Sequence, residues 1–483
     1  MSAAVTQPTP QSIPLCVDLD GTLIRSDMLW EAVMQLLHAS PAYVLLLPWW
    51  LLRGRAYLKQ QVARHVNLDV SVLPYNEQFL EFLRAEQRQG RRLVLATAAD
   101  QHHAQQVAQH LGLPMEVMSS DGTLNLKGKN KARVLVERFG ERGFDYAGDA
   151  VADLAVWQKA RQAIVVNASA GLAAKVQSVA TVSHAFNESK SWWRALLKAL
   201  RPHQWVKNFI VFGPLLGAHK FKDPTSLGET MLAFAAFCLC ASGAYVMNDV
   251  WDVEADRHHP SKRNRPFASG RLSLPFGALL SVGCLALSIA TAVQLPWAFL
   301  CVLAVYFVLT TAYSWRLKQV PLLDVFVLAG LYTIRLLAGE AATGIANSFW
   351  MLVFSLFIFL SLALAKRFTE LYGLRLQNKQ ESPGRGYRAE DLELVSMCGV
   401  VSGFLAALVM ALYVHSQEVS SLYNQPNLLL LVCPLILYWI SHVWLTAHRG
   451  RMHDDPIVFA LTDRQSWLIG VILLIVAVTA SPI

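Results

Sequence analysis

The apolar and polar positions divide the chain into two parts. Up to about residue 185, short apolar runs alternate with segments of helical periodicity, whereas long apolar runs fill the chain after about residue 200. The short runs predict buried strands at residues 13–17, 93–96, 144–147 and 163–166. Because helical segments separate these runs, they predict an α/β, Rossmann-like domain with a parallel sheet and helical crossovers.

Long apolar segments predict an all-α transmembrane bundle of nine helices, because about 20 apolar residues span a bilayer. The segments, of which the first and last are short, are 205–219, 228–250, 273–293, 296–314, 321–343, 347–366, 393–415, 427–447 and 466–481. We therefore expect four parts along the chain. They are a disordered N-terminus at 1–12, the α/β domain at 13–185, a linker at 186–195 and the membrane domain at 196–483.

The charges in the loops predict the orientation of this bundle. Lysines and arginines follow the second, fourth, sixth and eighth segments and are absent after the third, fifth and seventh. This alternation predicts a multi-pass protein of the cell inner (plasma) membrane, with its N-terminal domain in the cytoplasm and its C-terminus outside. Lys220 and Lys222, after the first segment, depart from the pattern.

Composition agrees with a bilayer as the main partner of the chain. Hydrophobic residues make up 54% of the sequence and charged residues only 16%. The net charge of +8 lies mostly in short loops between apolar segments, which indicates orientation in a membrane rather than a surface for nucleic acid. We expect a lipid bilayer, and no nucleic acid, as partner.

Residues 43–52 form an apolar, tryptophan-rich segment inside the α/β part. The segment is too short to cross a bilayer. It predicts either a cap or core helix, or a surface that rests on the bilayer or on the membrane domain.

Acidic residues follow the first predicted strand directly. Asp18 and Asp20 end that strand, where ligands bind in open α/β sheets. One carboxylate can attack a phosphorus atom while the other moves a proton. Further along, Thr97 offers a hydroxyl to a phosphate, and Asp149 and Asp153 are suited to Mg²⁺.

A lysine cluster completes this pattern. Lys127, Lys129 and Lys131 lie close together, and any of them can neutralise phosphate charge, with Lys131 preferred. The four elements, in this order, resemble the haloacid-dehalogenase superfamily of phosphatases over about 170 residues. The resemblance implies Asp18 as nucleophile, Asp20 as general acid/base, and phosphate binding by Thr97 and Lys131. It also implies a Mg²⁺ site formed by Asp18, Asp20, Asp149 and Asp153.

A second acidic motif ends the second apolar segment. Asp249, Asp252 and Asp256 have the spacing i, i+3, i+7, which places them on one face of a helix, and Asn248 lies one turn from Asp252. Three acids on one face repel each other, and a divalent cation would relieve the repulsion and bridge a diphosphate. A solvated helix end is the alternative.

Cations follow this motif at once. Lys262, Arg263 and Arg265 can clamp phosphate oxygens, whereas His258 and His259 lack a second ligand pair at a zinc-binding spacing. Together with the acids, these residues resemble the first aspartate-rich motif of the UbiA superfamily of intramembrane prenyltransferases.

The sequence departs from that superfamily after the sixth segment. Prenyltransferases carry a second acidic motif there, whereas this chain has Lys366, Arg367, Glu370, Arg385 and Arg388. Fixed positive charge suits a substrate with additional phosphates. With the run RPHQWVKN at 201–208, the motifs look like the decaprenyl-phosphate phosphoribosyltransferase branch.

That resemblance implies a bifunctional membrane enzyme that uses Mg²⁺. Its substrates would be phosphoribosyl pyrophosphate and a polyprenyl phosphate, and Asp249, Asp252 and Asp256 would hold the metal and diphosphate. The candidate substrate contacts are Lys207, Asn248, Lys262, Arg263, Arg265, Tyr313, Lys318, Arg367 and Arg388.

Two other functions remain open at this point. The first is prenyl transfer from a prenyl diphosphate to an aromatic acceptor, and the second is a transporter or membrane scaffold with a regulatory domain. In the preferred interpretation, the N-terminal domain hydrolyses a phosphomonoester, such as the 5′-phosphate of the membrane domain's product.

Overall fold

A computed structural model describes residues 13–481, apart from 122, 188–190, 381–384, 417–421 and 453–455. The predicted disordered N-terminus at 1–12 lies outside the described residues. The chain forms two compact units. The first, unit 1, comprises Met1–Leu200 with Tyr245–Leu280, and unit 2 comprises Arg201–Ala244 with Ser281–Ile483.

Unit 1 contains a six-stranded sheet in the order β3-β2-β1-β4-β5-β6, and all of its paired strands are parallel. The strands are β1 Leu15–Val17, β2 Leu93–Asp100, β3 Met115–Ser120, β4 Asp145–Gly148, β5 Ala163–Val166 and β6 Val182–Phe186. The α/β prediction is confirmed, and the four predicted strands are the four central ones. The sequence did not indicate β3 and β6, because these edge strands are partly exposed and lack a continuous apolar run.

Helices cover both faces of the sheet. They are α1 Met28–Ala39, α2 Leu47–Leu52, α3 Arg55–His65, α4 Glu77–Arg88, α5 Gln101–Leu111, α6 Lys129–Phe139, α7 Leu154–Trp157 and α8 Ala170–Val179. Alternate residues of a strand point to opposite faces, so Leu15 and Val17 join one apolar core while Cys16 joins the other. The two cores hold the carboxyl ends of the central strands in place.

The apolar segment at 43–52 is helical but mostly exposed. A 3-10 helix at Pro41–Leu45 leads into α2, and of these residues only Trp50 is buried. Leu52 is 82% exposed. The alternative of a core helix is therefore wrong.

The predicted linker overlaps regular structure at both ends. Strand β6 runs to Phe186, and α9 occupies Trp192–Leu200. In unit 1, Ala195 and Ala199 of α9 pack with Val246 and Val250. Residues 188–190 of the predicted linker lie outside the described residues.

Most of the remaining helices are long and apolar, and three of them have seven residues or fewer. They are α10 Gly213–Gly217, α11 Pro224–Trp251, α12 Val253–His258, α13 Leu274–Ala292, α14 Trp297–Trp315, α15 Leu323–Thr343, α16 Phe349–Leu376, α17 Leu392–Val414, α18 Val432–His448, α19 Pro456–Thr462 and α20 Arg464–Ala480. Among the described residues, seven helices are long and apolar enough to cross a membrane.

The predicted count of nine spans is therefore approximate. The first predicted span is a 3-10 helix, Pro202–Phe212, followed by the five-residue α10, and the last is the 17-residue α20. The sixth runs ten residues past its predicted end at 366, to Leu376. The hydropathy pattern did not predict this extension, because the last turns of the helix contain polar residues.

Candidate active sites

Asp18 and Lys131 form the centre of the site in unit 1. Asp18 follows β1, and its Oδ1 accepts a hydrogen bond of 2.8 Å from the N–H of Leu19. Its Oδ2 lies 2.8 Å from Lys131 Nζ, and both side chains are buried. Burial raises the pKa of Asp18, against the opposing charge of Lys131. The pair places a buried carboxylate beside a buried positive charge.

Asp153 and Tyr146 hold the lysine from its other side. Lys131 Nζ donates to Tyr146 Oη at 2.8 Å, and Tyr146 Oη donates to Asp153 Oδ1 at 2.8 Å. The second carboxylate oxygen of Asp153 accepts hydrogen bonds from the backbone N–H groups of Asp149 and Ala150. Lys131 is thus the lysine of the cluster that lies in the site, whereas Lys127 and Lys129 are exposed.

Asp18, Asp149 and Asp153 form a group that fits a divalent cation. Each offers one carboxylate oxygen, and these oxygens lie within 4.8 Å of one another. Burial and the charges of Asp18 and Asp153 raise the pKa of Asp149 to about 7. Hard oxygen ligands of this kind suit Mg²⁺. Within the described part of the chain, this is the one such group of acidic, histidine or cysteine side chains.

Gly21 brings the chain close to Asp149. Its φ is +76°, and a Cβ atom there would lie 2.1 Å from Asp149 Oδ2. The next residue, Thr22, donates its hydroxyl to Asp149 Oδ1 at 3.2 Å. The turn after β1 therefore needs glycine both for its conformation and for space.

Asp20 faces the start of α1. Its Oδ1 accepts a hydrogen bond of 2.9 Å from the N–H of Met28. Burial, with the charges of Asp27 and Asp18, raises the pKa of Asp20 well above its usual range. A carboxyl group that retains its proton can donate it to a leaving group.

Thr97 and Lys59 complete the site in unit 1. Thr97 is fully buried in β2, and its Oγ1 accepts a hydrogen bond of 3.0 Å from the N–H of Ala99. Lys59 of α3 donates to the carbonyl of Ala98 at 2.6 Å, and burial lowers the pKa of its ammonium group. The sequence did not indicate Lys59 or Tyr146, because no local motif marks either residue.

The second acidic motif lies at the junction of α11 and α12. Asp252 interrupts the helix, with φ −91° and ψ 17°. The N–H groups of Asp252 and Asp256 nevertheless donate to carbonyls four residues earlier, at 2.9 and 2.8 Å. The three acids are therefore not on one continuous helix as predicted, because a one-residue break at Asp252 separates α11 from α12.

Arg265 joins two of these acids. Its Nη1 lies 2.9 Å from Asp249 Oδ1 and 2.7 Å from Asp256 Oδ2, and both acids are buried. Asn248 and Asp252 are half-buried beside them, whereas Lys262 and Arg263 are exposed. One guanidinium thus offsets the repulsion that the sequence predicted for this motif.

A buried cluster of charges in unit 2 surrounds Asp324, which lies in the first turn of α15. Arg367 Nη2 lies 2.6 Å from Asp324 Oδ2, and both residues are fully buried. Tyr387 donates to Asp324 Oδ1 at 2.6 Å. Arg367 also pairs with Glu370, and Arg385 lies 3.4 Å from the same carboxylate. Arg367 is therefore held by two acids.

The other predicted substrate-binding residues of unit 2 lie outside the charge cluster around Asp324 or at its edge. Tyr313 Oη accepts a hydrogen bond of 3.4 Å from Arg385. Lys207 Nζ lies 5.9 Å from the centre of the Tyr332 ring. Lys318 is half-buried in the 3-10 helix Leu317–Gln319, and Arg388 is exposed.

In comparisons with known proteins, the segments that carry the two acidic motifs match two different families. Residues 15–158 match the haloacid dehalogenase-like hydrolases, and residues 209–376 match the UbiA prenyltransferase family. The uncharacterized protein y4nM of Sinorhizobium fredii is 40% identical over 467 residues, which covers 96% of this chain and 90% of that protein. This chain is a UbiA-family protein with a haloacid dehalogenase-like domain.

Two relatives resemble parts of the UbiA-family chain. Nodulation protein NoeC of Azorhizobium caulinodans is 38% identical over 56% of this chain and 87% of NoeC. A decaprenyl-phosphate phosphoribosyltransferase of Corynebacterium glutamicum is 38% identical over 36% of this chain and 54% of that enzyme. The chain is therefore a multi-pass membrane enzyme in which a transferase domain is fused to a phosphatase-type hydrolase domain.

Arg335 of the UbiA-family domain is a buried residue that no sequence motif predicted. This buried arginine of α15 donates to Asn208 Oδ1 at 2.8 Å and to Tyr306 Oη at 3.2 Å. A charged residue in the middle of an apolar span was the available signal, since such residues are costly in a bilayer.

Proposed function

We propose that the UbiA-family domain transfers phosphoribosyl from phosphoribosyl pyrophosphate to a polyprenyl phosphate. The observation that carries this proposal is the 38% identity, over 180 residues, to a decaprenyl-phosphate phosphoribosyltransferase. Arg367 and Arg385 stand where prenyltransferases of this family have a second acidic motif, and they form ion pairs with Asp324 and Glu370. Because these acids are held in ion pairs, a second Mg²⁺ site at this place is disfavoured, which counts against prenyl transfer.

The reaction is a displacement at the sugar. An oxygen of the lipid phosphate attacks the anomeric carbon, the bond from that carbon to the diphosphate breaks, and diphosphate leaves with the electron pair. Asp249, Asp252 and Asp256 would hold Mg²⁺, whose charge stabilises the departing diphosphate. Lys262 and Arg263 would bind phosphate oxygens, and Arg265 would neutralise the acids and then contact the donor.

Other side chains have supporting roles in this proposal. Asn248, Lys207, Tyr313, Lys318 and Arg388 are candidate substrate contacts. Arg367 acts through its neighbours, because Asp324 and Glu370 already hold its guanidinium. It would keep the end of α16 in place through these two ion pairs.

We further propose that the N-terminal domain hydrolyses the 5′-phosphate of the lipid-linked product. Asp18 attacks the phosphorus atom, the bond to the ester oxygen breaks, and Asp20 protonates the leaving alcohol. Water then hydrolyses the aspartyl-phosphate and releases inorganic phosphate, with Asp20 accepting a proton. Thr97 and Lys131 would bind the phosphate, while Asp18, Asp149 and Asp153, with the main-chain oxygen of Asp20, would hold Mg²⁺. The loop charges support a position of the protein in the inner membrane, with this domain on the cytoplasmic side.

Prenyl transfer to an aromatic acceptor is the second candidate, because the family match itself names prenyltransferases. Purified full-length protein, supplied with Mg²⁺, would receive either labelled phosphoribosyl pyrophosphate with a polyprenyl phosphate or labelled isoprenyl diphosphate with an aromatic acid. We expect label in the lipid phase only from the sugar donor, and its loss in Asp249→Ala. Transfer of the isoprenyl label to the aromatic acid would instead establish the second candidate.

A further inference from the structure

An apolar cavity of about 510 Å³ opens beside the hydrolase site in unit 1. Its apolar lining comes from Leu29, Trp30, Val33, Leu47, Leu51 and Leu58. Lys59 and Lys127 also line it. The cavity thus combines a mostly apolar lining with cationic side chains.

Two contacts connect this cavity to the proposed catalytic residues. Asp27 lines the cavity and caps α1, where its side chain accepts hydrogen bonds from the N–H groups of Leu29 and Trp30. The N–H of Met28, the residue after Asp27, donates to Asp20. Lys59, which also lines the cavity, donates to the carbonyl of Ala98, next to Thr97. The apolar space therefore adjoins the place where the leaving alcohol would be protonated.

Soluble sugar phosphates have no apolar part that such a cavity would receive. Trp30 is 40% exposed and Leu51 is 50% exposed. Covering apolar surface gains about 25 cal/mol per Å². Burial against these side chains would therefore stabilise a bound apolar chain, while the phosphate of the same molecule would contact the cations.

We propose that this cavity binds the isoprenoid chain of a lipid-linked phosphomonoester. The inference rests on the proposed function of the hydrolase domain and identifies its substrate as the lipid-linked sugar phosphate rather than free sugar phosphate. The cavity provides the affinity for the chain, and the carboxylates of unit 1 hydrolyse the phosphate at its sugar end.

Two substrates with the same scissile group test this proposal. Phosphate release by the full-length protein in detergent would be measured with ribose 5-phosphate and with farnesyl-phosphoryl-5-phosphoribose. We expect a KM at least about tenfold lower for the lipid-linked substrate, the size of effect that an apolar pocket produces. Equal KM values would overturn the inference and leave the hydrolase activity intact. Hydrolysis of neither substrate would overturn both.

Neighbouring leucines provide a matched pair of variants. Leu51 lines the cavity, whereas the adjacent Leu52, which is 82% exposed, does not. Leu51→Gln should raise the KM for the lipid-linked substrate several-fold and reduce the preference over ribose 5-phosphate. Leu52→Gln should leave both KM values as in wild type. Equal effects of the two substitutions would assign this surface to contact with surrounding lipid or detergent and would overturn the proposal.

Discussion

Lys131 is a buried lysine whose ammonium group lies 2.8 Å from the proposed nucleophile Asp18. Removing it would leave Asp18 without its countercharge and the phosphate without a cation. We predict that Lys131→Met lowers phosphate release at least about 100-fold, as the loss of a preorganised electrostatic contact does.

Lys129 provides the matched control, because it is exposed two residues away. Lys129→Met should retain near wild-type turnover. Thermal unfolding of both variants would separate loss of chemistry from loss of folding. Equal turnover in Lys131→Met and wild type would contradict the proposed role.

Gly21 permits the close approach of the turn after β1 to Asp149. Gly21→Ala would place a methyl group 2.1 Å from Asp149 Oδ2 at a φ of +76°, so this carboxylate must move. We predict loss of Mg²⁺-dependent phosphate release. Gly171→Ala is the control, because no atom lies within 4 Å of its Cβ position. Full activity in Gly21→Ala would show that Asp149 is not needed where it stands.

His103 makes stability depend on pH. It is buried in α5, and burial lowers the pKa of its imidazole below the usual 6.5. The unfolded chain therefore binds a proton at a higher pH than the folded chain does. Stability from this group is complete above pH 6.5 and is lost as pH falls through the lower folded pKa. Melting temperatures between pH 7.5 and 5 should fall less in His103→Gln than in wild type. An unchanged pH slope would contradict this account.

At the scale of elements, a buried ion pair joins α1 to α12 within unit 1. Arg257 donates to both carboxylate oxygens of Glu31, at 2.9 and 2.7 Å, and to the carbonyl of Ala268. The pair connects the helix that faces Asp20 to the helix that carries Asp256. Its exposure is 5% for Arg257 and 3% for Glu31, so the surrounding protein replaces water around both charges.

Breaking that pair should destabilise the protein more than removing it entirely. Glu31→Leu leaves a buried arginine without its carboxylate partner, which costs about 3–5 kcal/mol. The double variant Glu31→Leu with Arg257→Met should recover part of that loss. Unfolding of wild type, Glu31→Leu, Arg257→Met and the double variant in detergent forms a double-mutant cycle, which measures the coupling. Additive effects would show that the two side chains do not interact.

The sequence predicted elements well where their residues form continuous apolar runs. The central strands and the long apolar helices have continuous patterns, and these followed from hydropathy alone. Edge strand β6 was not predicted because three of its five residues are exposed, and α16 was predicted too short because its last turns are polar. The break at Asp252 was not predicted because residues 248–256 contain no glycine or proline to mark it.

At the scale of the whole molecule, strand order explains why the predicted hydrolase residues lie close together. β1 lies between β2 and β4, so residues at their carboxyl ends meet at one edge of the sheet. Only the tertiary structure shows that Lys131, rather than Lys127 or Lys129, lies in the site. It also shows that Arg265 contacts both Asp249 and Asp256. Pairings between residues distant in sequence leave no periodic signal.

The two domains suggest consecutive reactions on one lipid. The proposed transfer produces a polyprenyl-phosphoryl ribose that keeps its 5′-phosphate, and this phosphate is the group that the hydrolase domain would remove. Asp18→Asn would disable the proposed hydrolase nucleophile and would leave the acidic motif at 248–256 unchanged. The variant therefore separates the two steps within the full-length protein.

Mass spectrometry of the lipids formed from polyprenyl phosphate and phosphoribosyl pyrophosphate tests this account most directly. Wild type should form polyprenyl-phosphoryl ribose, and Asp18→Asn should accumulate the same lipid with one additional phosphate group. Asp249→Ala should form neither lipid. Absence of any ribose-bearing lipid with wild type, or an identical product from wild type and Asp18→Asn, would contradict the account.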